Sequence, residues 1–137
     1  MIGILLVTHN GLGDSLLDCI RHVTGAVPAH VKSLSVLAND DLQQKEREGN
    51  ALIKLLDNGD GVLVLTDLYG ATPSNIAQRL CRPGQVEGVT GVNLPMLLRV
   101  ACGADLPLEI MVQRALGGGR NCIVPLLEGF TGREHSD

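Results

Sequence analysis

Gly61-Val-Leu-Val-Leu-Thr-Asp67 is the stretch on which the fold turns. It is a continuous apolar run closed by a carboxylate, which marks a strand covered on both faces rather than one with a wet side. Directly after it comes Leu68-Tyr69-Gly70-Ala71-Thr72-Pro73, where Thr72 has the chemistry of a helix N-cap and Pro73 suits the first helical position. A helix reaching about residue 81 is therefore expected. A strand that feeds straight into a helix is half of a parallel βαβ unit, and the rest of the chain repeats that grammar.

Towards the amino end, residues 2–7 form a second apolar run. Leu12, Leu16, Cys19, Ile20 and Val23 follow at helical spacing, stopping near Gly25. Residues 31–37 predict another strand. Asp40 with Gln43 resembles a capping box, opening a helix whose apolar face holds Leu42, Leu52, Ile53 and Leu56. Towards the carboxyl end, residues 86–92 predict a strand, and Asn93 caps a helix that tolerates Pro95 in its first turn. Residues 106–116 predict an amphipathic helix. Gly117-Gly118-Gly119 is read as its stop and as a flexible hinge, since no G-x-x-x-x-G-K-[ST] pattern makes it a phosphate loop. Residues 121–126 predict a last short strand, and about 128–137 a polar, frayed tail. The expected architecture is an α/β three-layer sandwich, a mainly parallel sheet with helices on both faces, in a single domain over 1–137.

Composition narrows the function. The chain has 137 residues, 45% of them hydrophobic, enough for a sizeable core and too apolar for disorder. Tyr69 and Phe130 are its only Phe, Tyr or Trp residues, so Leu, Val, Ile and Ala must build that core. A formal net charge of −4, without a Lys/Arg cluster or stacking rings, makes nucleic acid a poor partner. Cys19, Cys81, Cys102 and Cys122 lack metal-ligand spacing and are expected as reduced, mostly buried small hydrophobes. The first apolar run has no basic flank or cleavage site and is too short to span a bilayer, so the expected location is the cytoplasm, with no membrane insertion.

In a parallel sheet of this kind ligands meet the carboxyl ends of the strands. Thr8-His9-Asn10-Gly11 follows the first strand, Asp67 to Pro73 the third, and Asn93-Leu94-Pro95 the fourth. If the first and third strands are neighbours, His9 and Asp67 project from adjacent tips. A carboxylate on one imidazole nitrogen fixes the tautomer and leaves the other nitrogen nucleophilic. Helices starting after Gly11 and at Thr72 aim free N–H groups at the same spot, Gly11, Gly13 and Gly70 allow close approach, and Thr8 and Thr72 offer hydroxyls. Such parts suit a phosphoryl group. Taken singly, each has a plainer role: a strand-end histidine is more often structural, and Asp and Thr-Pro are ordinary turn and cap residues. Their convergence on one sheet edge favours a site. His22, His30 and His135 are expected in surface or capping roles.

Gly3-Ile-Leu-Leu-Val-Thr-His9-Asn-Gly11, Gly61-Val-Leu-Val-Leu-Thr-Asp67-Leu-Tyr-Gly70-Ala-Thr72-Pro73-Ser-Asn75 and Gly91-Val-Asn93-Leu-Pro95-Met96 occur in this order. Together they resemble the enzyme IIA domain of the mannose family of the bacterial phosphoenolpyruvate–sugar phosphotransferase system, over residues 2 to about 127. The resemblance implies a protein-to-protein phosphotransferase with sheet order 2-1-3-4. His9 would be phosphorylated on Nε2 and oriented by Asp67. Thr8, Asn10, Gly11, Leu68, Tyr69, Gly70, Ala71 and Thr72 would form the phosphate-binding loops. It further implies the protein HPr as donor, an enzyme IIB protein as acceptor for sugar uptake, no metal or organic cofactor, and a homodimer exchanging an antiparallel edge strand, mapped to residues 121–126. Asn10 stands where Gly is common and Ala71 in a loop that is often Gly-Gly. With no IIB domain within 137 residues, the acceptor would be a separate protein.

Rival readings keep the chemistry but change its purpose: a regulatory phosphoprotein without a sugar permease, or a phosphotransfer subunit for dihydroxyacetone kinase. A different class is a non-catalytic flavodoxin-like binding or receiver module. Against it, Thr8-His9 stands where a receiver wants an acidic pair, and Tyr69 is the only ring a flavin could meet in these loops.

Overall fold

Two unbroken apolar strands at the centre organise the molecule. The structure is a computed structural model and describes residues 1–127. Its elements are β1 (Gly3–His9), α1 (Leu12–Thr24), β2 (Val31–Val36), α2 (Leu42–Leu56), β3 (Val62–Thr66), α3 (Thr72–Leu80), β4 (Val86–Thr90), α4 (Leu94–Ala101) and α5 (Leu108–Arg120). The sheet is all-parallel with order β2-β1-β3-β4, so the strand order reverses between β1 and β3. Ile4, Leu6, Leu63 and Leu65 face one way, onto Ile20 of α1, Leu97 and Val100 of α4 and Met111 and Ala115 of α5. Leu5, Val7, Val62 and Val64 face the other, onto Ile53 and Leu56 of α2 and Ile76 and Leu80 of α3. Successive strand residues point to opposite faces, so an unbroken apolar run is what two covered faces require. This is the three-layer sandwich expected, and its order is the one the resemblance implied.

Several local expectations are corrected. The N-cap of α2 is Asp41, whose side chain accepts from the Gln43 N–H at 3.0 Å. The Asp40 carboxylate is instead engaged by the Leu37 N–H at 2.7 Å. Thr72 is the first residue of α3 rather than its cap; Ala71 is the cap and brings no side-chain hydrogen bond, while the Ser74 hydroxyl donates to the Ala71 carbonyl at 2.8 Å. Asn93 does cap α4, accepting from the Met96 N–H at 2.9 Å. Gly117, Gly118 and Gly119 do not stop a helix, because α5 runs through all of them to Arg120. Their lack of side chains lets α5 lie against α4: a Cβ on Gly118 would stand 2.9 Å from Cβ of Arg99.

The inward face of α1 carries Gly13, Leu16, Leu17 and Ile20, which turns Leu12, Cys19 and Val23 outwards. The cysteines are accordingly not core residues. Cys19, Cys102 and Cys122 are exposed and Cys81 is half-buried, all as free thiols. Residues 121–126 form no strand within the described chain; they leave α5 through a turn, with Ile123, Val124 and Leu126 exposed. Pairing with a second copy is a separate matter, taken up below. The tail expected at about 128–137, with His135, lies outside the described residues.

Candidate functional site

The register of β1 with β3 pairs Val7 with Thr66, where β3 ends, while β1 runs two residues further with His9 still paired to Val36 of β2. That places His9 beside Asp67. Oδ2 of Asp67 accepts the backbone N–H of His9 at 3.1 Å and lies 2.8 Å from the ring Nδ1. An ionised carboxylate can only accept, so the bond requires the proton on Nδ1 and leaves the lone pair of a neutral ring on Nε2. Burial is the largest single influence on Asp67 and opposes its ionisation. The hydrogen bonds from the His9 ring, the His9 backbone and its own backbone N–H nevertheless hold the carboxyl below its ordinary value. Exposure divides the labour: the His9 side chain is 44% exposed and that of Asp67 only 12%. The imidazole is open and its carboxylate partner shielded.

The loops around this pair come from the ends of β1, β2 and β3. Asn10 and Gly11 are exposed, and Asn10 is the one non-glycine residue at positive φ (48°) among those described. Asn tolerates this left-handed conformation, which explains how it serves where glycine is common. Leu68, Tyr69, Gly70 and Thr72 are exposed and Ala71 is half-buried, with Gly70 at φ 82°. Among the described residues nothing accepts from the N–H groups of Gly11, Leu12, Tyr69, Gly70 or Thr72. The first turns of α1 and α3 thus present donors and positive dipole ends to a common rim. Thr8 stands apart. It is fully buried, and its Oγ1 accepts from the Gly13 N–H at 2.9 Å.

The parts played by four residues at this end of the sheet escaped sequence reasoning. Leu12 and Leu37, exposed just beyond β1 and β2, join Leu68 and Tyr69 (60% and 73% exposed) as apolar side chains at this end of the sheet. Leu37 was read as the last residue of a strand over 31–37, which ends at Val36, and Leu12 as a core position of the first helix. Ser33 and Ser35, alternating in β2, belong beneath α1: Ser35 Oγ lies 3.5 Å from Asp14 Oδ2, and a Cβ on Gly13 would collide with Ser33 Oγ. Among the described residues no group of three or more His, Cys, Asp or Glu side chains could hold a metal ion. A cavity of about 710 Å³ opens among Met1, Asp60, Glu87, Asp105 and Glu109, away from His9, and offers carboxylates but no nucleophile.

A family model described as EIIA-man, PTS system fructose IIA component, matches residues 3–109. The chain belongs to that family. Components of this kind transfer phosphoryl groups between proteins. The PTS system mannose-specific EIIAB component of Escherichia coli (strain K12) is 29% identical over 128 residues, covering 91% of this chain. The chain spans only 39% of that relative's length. The fold matches phosphotransferase system component EIIA from Streptococcus agalactiae with a TM-score of 0.83 at 22% identity, covering 93% of this chain and 99% of that one. It also matches the PTS IIA protein associated with the fucose utilization operon of Streptococcus pneumoniae, with a TM-score of 0.78 at 26% identity, covering 93% and 95%. Among the described residues no helix is long and apolar enough to cross a membrane.

Proposed function

We propose that this IIA component is a cytoplasmic phosphocarrier in which Nε2 of His9 takes the phosphoryl group from phosphorylated HPr and passes it to an enzyme IIB protein for sugar uptake. The observation that carries the reading is the 2.8 Å contact of Asp67 with Nδ1, made while the His9 ring remains half-exposed. In the first transfer the Nε2 lone pair forms the new N–P bond as the P–N bond to the donor imidazole breaks, its electron pair returning to that ring. The His9 ring then carries positive charge, and the Asp67 carboxylate beside Nδ1 stabilises it. The free N–H groups of Gly11, Leu12, Gly70 and Thr72 supply positive potential for the phosphoryl oxygens, with the Thr72 hydroxyl a further donor. The second transfer reverses these steps towards the acceptor. Leu12, Leu37, Leu68 and Tyr69 give a docking protein apolar contact around the histidine.

The test is labelling by phosphoenolpyruvate, enzyme I and HPr, followed by mapping of the modified residue. His9→Ala is expected to take no label, and the wild-type label to be acid-labile, as a phosphohistidine is. Full labelling of His9→Ala would overturn the assignment.

We also propose a homodimer that pairs residues 121–126 with the outer edge of a partner's β4. Beyond one bridge from Arg82 to Val86, that edge has no strand partner among the described residues. The apolar side chains of Ile123, Val124 and Leu126 are exposed nearby, Ile123 sharing a cavity with Val89 and Thr90.

A further inference from the structure

The structure assigns Thr8 to a role that touches no reactant: it is the positioning residue that locks the start of α1 to β1, so that the N–H groups of Gly11 and Leu12 stay aimed at His9. The inference rests on the phosphocarrier reading above and goes beyond it. A helix N-cap normally offers a side-chain oxygen to the second or third N–H of its helix. At α1 the cap is Gly11, which has none. The missing acceptor comes from the strand instead, for Thr8 Oγ1 takes the Gly13 N–H at 2.9 Å. The bond is closed to water, since Thr8 and Gly13 are both buried.

Gly13 is what makes that reach possible. A Cβ there would collide with Ser33 Oγ and stand 3.0 Å from Thr8 Oγ1 and 3.4 Å from Leu6 Cβ. Any side chain at position 13 would lift the helix start off the sheet and away from the hydroxyl. With glycine present, the Gly13 donor is consumed inside the protein. The N–H groups of Gly11 and Leu12 are left without an acceptor among the described residues. Because Thr8 and His9 are consecutive in β1, the clamp fixes these donors to the same rigid strand that carries the nucleophile. Alternation along the strand sends the Thr8 side chain under α1 and that of His9 to the Asp67 side. The Thr8 hydroxyl is therefore not a phosphate ligand. A misplacement of about 1 Å in such donors can cost on the order of 10²-fold in rate.

Thr8→Val keeps shape and burial but orphans the Gly13 N–H, whereas Thr8→Ser keeps the acceptor. Single-turnover phosphorylation by phospho-HPr should be slowed about 10- to 100-fold in Thr8→Val, with a much smaller change in the KM for phospho-HPr, because of the apolar docking side chains only Leu12 lies on α1 while Leu37, Leu68 and Tyr69 do not. Thr8→Ser should restore most of the rate. Ser33→Ala, which removes a buried hydroxyl that has no hydrogen-bond partner, should leave it unaltered. A second measurement needs no variant. On phosphorylation of the ¹⁵N-labelled wild type, the Gly11 and Leu12 amide resonances should move strongly, while that of Gly13 moves little and stays protected from exchange. Wild-type rates in a folded Thr8→Val, or a Gly13 shift as large as that of Gly11, would overturn the inference. If wild type and Thr8→Val label equally on His9, only this inference falls; if wild type takes no label on His9, the phosphocarrier reading falls and takes this one with it.

Discussion

One oxygen, Oδ2 of Asp67, takes hydrogen bonds from both the ring and the backbone of His9, so side-chain orientation and main-chain position are set together. Asp67→Asn keeps a similar shape but loses the charge that, on the phosphocarrier reading, stabilises the phosphorylated ring. Transfer from phospho-HPr is expected to slow by about 10²- to 10⁴-fold, with binding of HPr retained, as read by stopped-flow labelling and titration calorimetry. The same carboxyl leaves a mark on stability. Because its folded pKa lies below the unfolded value of 3.8, its contribution is present well above pH 3.8 and is lost as the pH falls through the folded value. The melting-temperature advantage of wild type over Asp67→Asn should therefore be steady near neutrality and shrink in acid. Next door, Asn10 holds φ at 48°. Asn10→Val should cost about 1–2 kcal/mol in urea unfolding, while Asn10→Gly stays within a few tenths. Of this neighbourhood, His9 and Asp67 were legible because polar residues that end apolar runs stand out. Thr8 was not, since a hydroxyl on the buried side of a strand end looks the same in sequence as one on the open side.

At the level of elements the instructive error is α5. A run of glycines costs each helical position about 1 kcal/mol relative to alanine, so propensity alone ends the helix at Leu116. Contact with α4 overrides it. Gly118 sits against Cβ of Arg99, and the Asn93 side chain, which caps α4, donates to the Gly119 carbonyl at 3.2 Å. The three positions should therefore respond differently to alanine. Among the described residues a Cβ on Gly117 would have only Asn121 Nδ2 in reach, at 3.8 Å, so Gly117→Ala should stabilise by up to about 1 kcal/mol. Gly118→Ala meets a Cβ that cannot swing aside and should destabilise by about 1–3 kcal/mol. Gly119→Ala falls between, because the obstruction is the mobile Cε of Met96. Parallel urea melts check all three. Cap positions slipped for a related reason: Asp40 and Asp41 carry the same chemistry, and only backbone geometry decides which one turns inwards to the helix.

For the molecule as a whole, the alternating strand–helix grammar made the parallel sandwich readable, since runs such as Val62 to Leu65 have no polar face to spare. Strand order was not in that grammar; it came from the resemblance, because helices can cross over either neighbour at similar cost. Residues 121–126 read as a strand but find no edge within their own described chain, as a segment meant for another copy would. The dimer reading predicts twice the monomer mass of 14.5 kDa by sedimentation at micromolar concentration, and Val124→Asp should shift it to monomer. A monomeric wild type at that concentration would end the proposal. A parallel sheet also has polarity. Met1 enters β1 at one end and His9 leaves it at the other, seven residues of strand away, or about 23 Å. Chain coupled to a sensor surface through its α-amino group would thus stand with every His9 imidazole turned towards the flowing solution, each copy in the same pose for an incoming partner.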